Sequence, residues 1–347
     1  MRIPKYTLVL SLDQLDNLIG RYSAVTTFWN WIEMTFYKRL TAQDLPESLE
    51  YKEGTLNNSR NQSLFYRTVF PEESSIRAIA VFVHGVGDHS GRYFRLFERL
   101  STCGYGVAAY DMIGHGKSAD DESGIRAHAR DFQYFVDDTN FFIQALKTDI
   151  LPSYGFNESN LPLIYIGMSY GTLVGLHTIL SGVHTFHAAV LVAPAVCVEW
   201  TTVLRVQAVF ASALSILIPR KRIVPAVRHE CLTRDKSLIE DMNKDPLMMM
   251  GKLTSRMGEQ SLSAMRRLKK DKSIEDAQST LGKLPVLSMI GSDDLVVSVS
   301  SIQDFHNRFR GKNKELKVFE GMYHCLFEEV EAERVYAYLV EWLGKQI

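Results

Sequence analysis

The chain has 347 residues, 46% hydrophobic and 23% charged, with 39 basic and 40 acidic side chains for a net charge of −1. That length gives room for a large buried core, as one big α/β domain with an insertion or as two domains. The balanced charge excludes a global basic field for nucleic acid. Four scattered cysteines (Cys103, Cys197, Cys231, Cys325) with no CxxC spacing argue against a disulfide or zinc framework and for reduced thiols in a cytosolic-type setting.

The N-terminal "MRIPKYTLVLSLD" carries an apolar run too short for a membrane span and weak as a signal peptide, so no cleaved leader is expected. Ser11 and Gln14 have capping-box spacing. Beyond them Leu15, Ile19, Tyr22, Val25, Trp29, Ile32 and Phe36 recur at three- and four-residue steps, an amphipathic helix. Its apolar face is expected to pack on the domain. The alternative is a membrane-surface helix, because Phe28, Trp29, Trp31 and Tyr37 suit an interface. Residues 42–63 are polar and read as a linker plus a first hairpin; the sequons at Asn57 and Asn61 carry no meaning without a known compartment.

From residue 63 the pattern alternates. Strands are predicted over 78–85, 105–111, 162–169, 188–195, 284–291 and 316–321. Helices are predicted between them, at 91–104, 129–147, 170–182 and 299–309, with one more at the C-terminus. The continuous apolar run "AIAVFVHG" suits a strand covered on both faces. Such alternation predicts an α/β fold, a mostly parallel doubly wound sheet flanked by helices. Residues 198–275 break the rhythm with helical patterns and no clear strand, and are expected to form a helical cap on the sheet. The division is then an N-terminal extension (1–51), a core (52–197 and 276–347) and the cap. His184 and His187 form a lone HxxH without partner ligands, so no metal is expected there.

"PLIYIGMSYGTLVGLHTIL" (162–180) turns from strand to helix within five residues, with Ser169 at the corner between Gly167 and Gly171. This G-x-S-x-G has the strand–turn–helix setting that a nucleophile elbow requires. The glycines permit the tight turn, and the helix start brings N–H groups and the positive dipole end near the serine. A nucleophilic serine needs a base and an orienting acid, which in such a fold follow in the order Ser, Asp/Glu, His at later strand ends. "GSDD" after the strand ending at 291 supplies Asp293 and Asp294; "GMYHCLFEE" after the strand ending at 321 supplies His324. A turn aspartate or a loop histidine alone would be weak evidence. In order, at strand ends, they are strong. "VHGVGDHSGRY" (83–93) leaves an early core strand through a glycine-rich turn, so the backbone N–H groups of Val86 and Tyr170 are the expected oxyanion donors.

These segments, with "YDMIGHGKSAD" (110–120), "DPLMMMGKLTSRMGEQ" (245–260) and "VFEGMYHCLFEE" (318–329), resemble the monoacylglycerol lipase family of α/β-hydrolases, also grouped with serine aminopeptidase-like and lysophospholipase-like hydrolases. The resemblance spans about residues 52–347. It implies an α/β-hydrolase fold, nucleophile Ser169, acid Asp294, base His324, oxyanion donors Val86 and Tyr170, and no metal or organic cofactor. It also implies a lipid ester substrate, monoacylglycerol above all. One departure stands out: the family elbow reads G-H-S-M-G, whereas Met168 and Tyr170 flank the serine here. A tyrosine there is expected to set a bulky polar group beside the nucleophile.

In the cap, "TVLRVQAVFASALSILIP" (202–219) is apolar nearly all round, so it is either buried or lies against lipid. Arg220, Lys221 and Arg222 follow and would suit anionic headgroups. A cytoplasmic protein with peripheral membrane contact through 202–222 and the N-terminal helix is the resulting expectation. Lysophospholipids, other carboxylic esters and peptides or amides are the rival substrates, and a non-catalytic ligand-binding hydrolase fold is the rival from another class.

Overall fold

The computed structural model describes residues 39–72, 76–121, 123–156, 161–197, 202–225, 227–249 and 251–347. The amphipathic helix expected over 11–36 lies outside them. The first strands form an antiparallel hairpin, β1 (Glu50–Asn57) and β2 (Ser63–Phe70), which runs beyond the 42–63 stretch where a hairpin was expected. There follow β3 (Ala78–Val83), helix α1 (Phe94–Thr102), β4 (Tyr105–Tyr110), α2 (Gln133–Ala145), β5 (Leu163–Met168), α3 (Tyr170–Ser181) and β6 (Ala188–Val192). The insertion holds α4 (Thr202–Val209), α5 (Ala211–Leu217), β7 (Arg222–Val224), α6 (Lys236–Lys244), β8 (Leu253–Thr254) and α7 (Ser255–Lys270). The core resumes with β9 (Val286–Gly291), α8 (Val299–Arg308), β10 (Lys314–Phe319) and α9 (Ala332–Gly344).

Eight strands form one sheet in the order β1-β2-β4-β3-β5-β6-β9-β10, parallel from β4 onward. Every residue of β3, β4, β5, β6 and β9 is buried, because helices cover both faces and leave no position for a polar side chain to reach water. The edge strand β1 instead has no buried residue. Helix α1 buries Phe94, Leu96, Phe97 and Leu100 on one face and stops at Cys103-Gly104, where Gly104 takes φ 86°. Side chains such as Phe132, Phe135, Phe142, Tyr165 and Leu173 form one continuous core, each contributing about 1.5–3 kcal/mol by leaving water.

The insertion is rooted at one end and open at the other. Helix α7 sends Met257, Ala264 and Leu268 into the main core. Its Gln260 Oε1 accepts the Phe132 N–H at 3.0 Å, and the Ala264 carbonyl lies 3.1 Å from His177 Nε2. Two features differ from the sequence expectation. Strands β7 and β8 pair antiparallel where no strand was expected; they are too short to show a period. The single apolar helix expected over 202–219 breaks at Phe210 into α4 and α5, and its outer side is open: Val209 is 78% and Leu217 76% exposed. A fully buried cap helix is therefore not what these residues form.

Candidate active site

Strand β5 and helix α3 meet at Ser169, whose backbone (φ 51°, ψ −114°) lies where a non-glycine residue is strained. Close packing beneath the turn and hydrogen bonds to its backbone hold the strain. A Cβ on Gly171 would collide with the Val83 carbonyl oxygen, so only glycine lets the first turn of α3 press against the end of β3. The Ser169 N–H donates to Val192 O at 2.8 Å, and Thr172 closes the turn on Ser169 O. The hydroxyl is thereby lifted off the sheet at the C-terminal ends of the parallel strands.

Two later strand ends meet it there. His324, in the loop after β10, sets Nε2 2.9 Å from Ser169 Oγ. Its Nδ1 lies 2.8 Å from Asp294 Oδ2, in the loop after β9. The other Asp294 oxygen accepts the N–H groups of Val296 (2.7 Å) and Val297 (2.9 Å), so the carboxylate is fixed before it meets the ring. Asp294 and His324 are buried, while Ser169 keeps partial access to solvent. Asp293 is exposed and accepts the neighbouring Ser292 hydroxyl, a turn contact. Of the two aspartates, then, Asp294 alone faces the histidine.

The loop leaving β3 lies against Ser169: a Cβ on Gly85 would sit 3.5 Å from Ser169 Cβ. His84 sets its conformation. Its Nε2 accepts the Met112 N–H at 3.0 Å, which places the ring proton on Nδ1, 2.7 Å from Gly85 O. Burial lowers the His84 pKa and keeps the ring in this neutral form. The C=O and N–H of a trans peptide point in opposite directions. Holding Gly85 O therefore also fixes the direction of the Val86 N–H. Asp111, after β4, holds the same loop from below by accepting Ser90 N (2.8 Å) and Ser90 Oγ (2.5 Å). Tyr170 opens α3, so its N–H has no carbonyl one turn earlier within the helix. Val86 and Tyr170 thus stand on the two backbone segments that flank Ser169.

The Tyr170 side chain does not stand beside the Ser169 hydroxyl as the polar group that was expected there. It is buried between Phe132 and Phe135, with ring centroids 6.1 and 5.7 Å away, and its hydroxyl meets Ser261 Oγ on α7 at 3.1 Å. Tyr170 thus ties the helix that follows Ser169 to the rooted half of the insertion. His84, Asp111 and Ser261 were given no role by sequence reasoning. His84 and Asp111 lie in the quoted "HGVGDHSGRY" and "YDMIGHGKSAD" motifs, and Ser261 directly follows the segment 245–260. No local pattern says what each of them touches.

A mostly parallel sheet with a serine elbow and an Asp–His pair at later strand ends defines a serine hydrolase of the α/β-hydrolase fold. The profile of the family described as Serine aminopeptidase, S33 matches residues 74–331, and the chain belongs to that family. Human monoglyceride lipase is 28% identical over 286 residues, 82% of this chain and 88% of that protein. Phospholipase YtpA of Bacillus subtilis is 25% identical over 262 residues, 75% of this chain and 92% of that protein. In fold, the chain matches a soluble variant of Saccharomyces cerevisiae monoglyceride lipase, solved with a substrate analogue. The TM-score is 0.73 at 22% identity, covering 89% of this chain and 97% of that one. The protein is an enzyme, a serine ester hydrolase.

Proposed function

We propose that the protein hydrolyses monoacylglycerol to fatty acid and glycerol through an acyl-enzyme on Ser169. The observation that carries the reading is the hydrogen-bonded line Ser169–His324–Asp294. His324 takes the Ser169 proton as Oγ adds to the ester carbonyl. Asp294 holds the Nδ1–H tautomer and stabilises the imidazolium. The N–H groups of Val86 and Tyr170 receive the oxyanion. Collapse expels the alcohol with the proton from His324, and water then cleaves the acyl-serine by the same steps.

The glyceride class is supported by the names of the relatives and by the apolar insertion, which suits a fatty acyl chain better than a small polar one. Lysophospholipid is the second reading, favoured by the phospholipase among the relatives. A panel of monoacylglycerols, lysophospholipids and an aminoacyl arylamide, run with purified protein, tests this. Turnover confined to lysophospholipids would shift the substrate, and turnover confined to the arylamide would remove the ester reading.

The open face of α4 and α5 supports a further step of the same reading: the protein works at a lipid surface, docking by Val203, Val206, Val209, Phe210, Ile216 and Leu217. Cys103, Cys231 and Cys325 carry free thiols, which fit a reducing, cytoplasmic compartment for it. No helix among the described residues is long and apolar enough to cross a membrane, so contact through this face would be peripheral.

A further inference from the structure

The cap segment that leaves α6 runs alongside the loop that leaves β3, and the two are joined at both ends. At one end lies Asp245, which closes α6 in extended backbone (φ −78°, ψ 111°) ahead of Pro246. Its Oδ2 lies 3.0 Å from His89 Nε2 and accepts Arg92 Nη1 at 3.2 Å; Arg39 bonds the same oxygen. Its Oδ1 accepts the Leu247 N–H at 3.0 Å. At the other end the Met249 N–H donates to Gly87 O at 2.7 Å. Gly87 takes φ 76°, and a Cβ there would strike the Met249 carbonyl oxygen, so the loop and the cap segment touch backbone to backbone.

The His89 ring is oriented for this contact. The Gly91 N–H donates to its Nδ1 at 3.2 Å, so the ring proton sits on Nε2 and points at Asp245. Arg92, wholly buried, reaches Asp241 (3.0 Å) and Asp245 on the cap side and Glu328 (3.2 Å) on the other. Glu328 belongs to the loop that carries His324. One buried cluster therefore joins the cap, the loop of Val86 and the loop of His324. Burial alone would raise the Asp245 pKa, but the His89 hydrogen bond and the surrounding positive charge outweigh it and hold the carboxyl well below its usual range, so it stays ionised.

We propose that Asp245 is a positioning residue for the oxyanion loop: through His89, and with the Met249–Gly87 bond, it holds residues 85–89 so that the Val86 N–H meets the transition state. The proposal rests on the reading that Ser169 is the nucleophile and Val86 an oxyanion donor. It makes the cap a structural part of the catalytic step as well as a roof over the substrate. Asp245 touches no reacting atom and acts through the loop.

The test uses the full chain and a soluble short-chain p-nitrophenyl ester, so that acyl recognition by the cap contributes little. Asp245→Asn keeps an oxygen for His89 and should lower kcat about tenfold; Asp245→Ala should lower it about a hundredfold, with KM within about twofold in both. Affinity for a trifluoromethyl ketone should fall by the same factor as kcat/KM. Ser169 Oγ adds to that carbonyl, its proton passes to His324, and the carbonyl electron pair becomes the oxyanion that Val86 must hold. His89→Gln, whose amide N–H can reach Asp245, should recover most of the kcat that His89→Ala loses. Melting temperatures are measured alongside, and the Asn and Gln variants keep the test open if Asp245→Ala fails to fold. Unchanged kcat and ketone affinity in Asp245→Asn and His89→Ala, with only a lower melting temperature, would overturn the proposal. Ser169→Ala separates the two levels. An active Ser169→Ala removes the underlying reading. An inactive one beside unaltered Asp245 and His89 variants removes this inference alone.

Discussion

Helix α3 and the pair α4–α5 are written in similar residues, "YGTLVGLHTILS" against "TVLRVQAV" and "ASALSIL", and the structure treats them oppositely. In α3 even Tyr170, Thr172 and Thr178 are buried; in α4 nothing is. Apolar composition does not decide the outcome. The glycines do: Gly171 lets α3 press on the end of β3, and a Cβ on Gly175 would collide with the Tyr165 ring of β5. Helix α4 has no glycine, and Val203, Val206 and Val209 stand out along one side of it. A helix that admits close backbone contact becomes a rigid platform for chemistry. One that lacks it keeps an apolar side exposed.

The largest expected effect breaks the platform's chemistry and leaves its packing intact. Ser169→Ala should retain the fold by circular dichroism and melting temperature, yet lose about four to six orders of magnitude in kcat on any ester. Near-wild-type turnover would mean that another group attacks the carbonyl. Next is the contrast of adjacent carboxylates. Asp294→Asn should cost about 10⁴ in kcat, because the amide no longer holds the correct histidine tautomer. Asp293→Asn should stay within about threefold, since among the described residues that side chain reaches only Ser292. Steady-state kinetics on the two variants decide between them, and a reversed ranking would move the acid to Asp293.

How much was legible follows the same division. Strand ends and the G-x-S-x-G turn could be read because their signals are local: apolar runs, glycines, and a serine, an aspartate and a histidine in an order that parallel topology explains. The α/β-hydrolase sheet came out as expected for the same reason. The break at Phe210 could not be read, since "VFAS" carries no proline or glycine to announce it. Nor could the β7–β8 pair, whose strands are joined across the whole of α6. The Asp245 cluster was hidden for another reason. His89 and Arg92, and the Glu328 that Arg92 reaches, lie far away in sequence, and a charged residue in a loop usually reads as solvated. Tyr170 was expected beside the nucleophile, but its environment is set by α2 and α7, which a local reading cannot see.

The open side of α4–α5 yields a smaller expected effect. Replacing Val209 and Phe210 with serine removes two of its exposed apolar groups. If they enter an acyl layer, the loss is about 2–3 kcal/mol together, roughly a hundredfold in partitioning. Vesicle sedimentation should show weaker binding, and turnover of vesicle-borne monoacylglycerol should slow, while a soluble ester is cleaved as before. Unchanged vesicle binding would mean that the exposed face does not serve as a lipid anchor.

The smallest effect distinguishes the three basic residues that follow. Arg220 and Lys221 are exposed and free to meet headgroups. Arg222 is half-buried in β7, and its guanidinium donates to Arg126 O at 2.6 Å and Lys252 O at 3.1 Å, holding the cap strand to the 123–130 loop. The three therefore do not act as one patch, as their run in the sequence suggests. On anionic vesicles each headgroup contact is worth about 1 kcal/mol, so Arg220→Gln with Lys221→Gln should weaken binding roughly thirtyfold. That loss should shrink as salt rises and vanish on zwitterionic vesicles. Arg222→Gln should instead lower stability by about 1–3 kcal/mol, seen as a lower melting temperature at every salt concentration, through the carbonyls it leaves unpaired. If Arg222→Gln weakens vesicle binding as much as the other two without destabilising the fold, its side chain is free for headgroups and the cap strand is held by its backbone pairing with β8 alone.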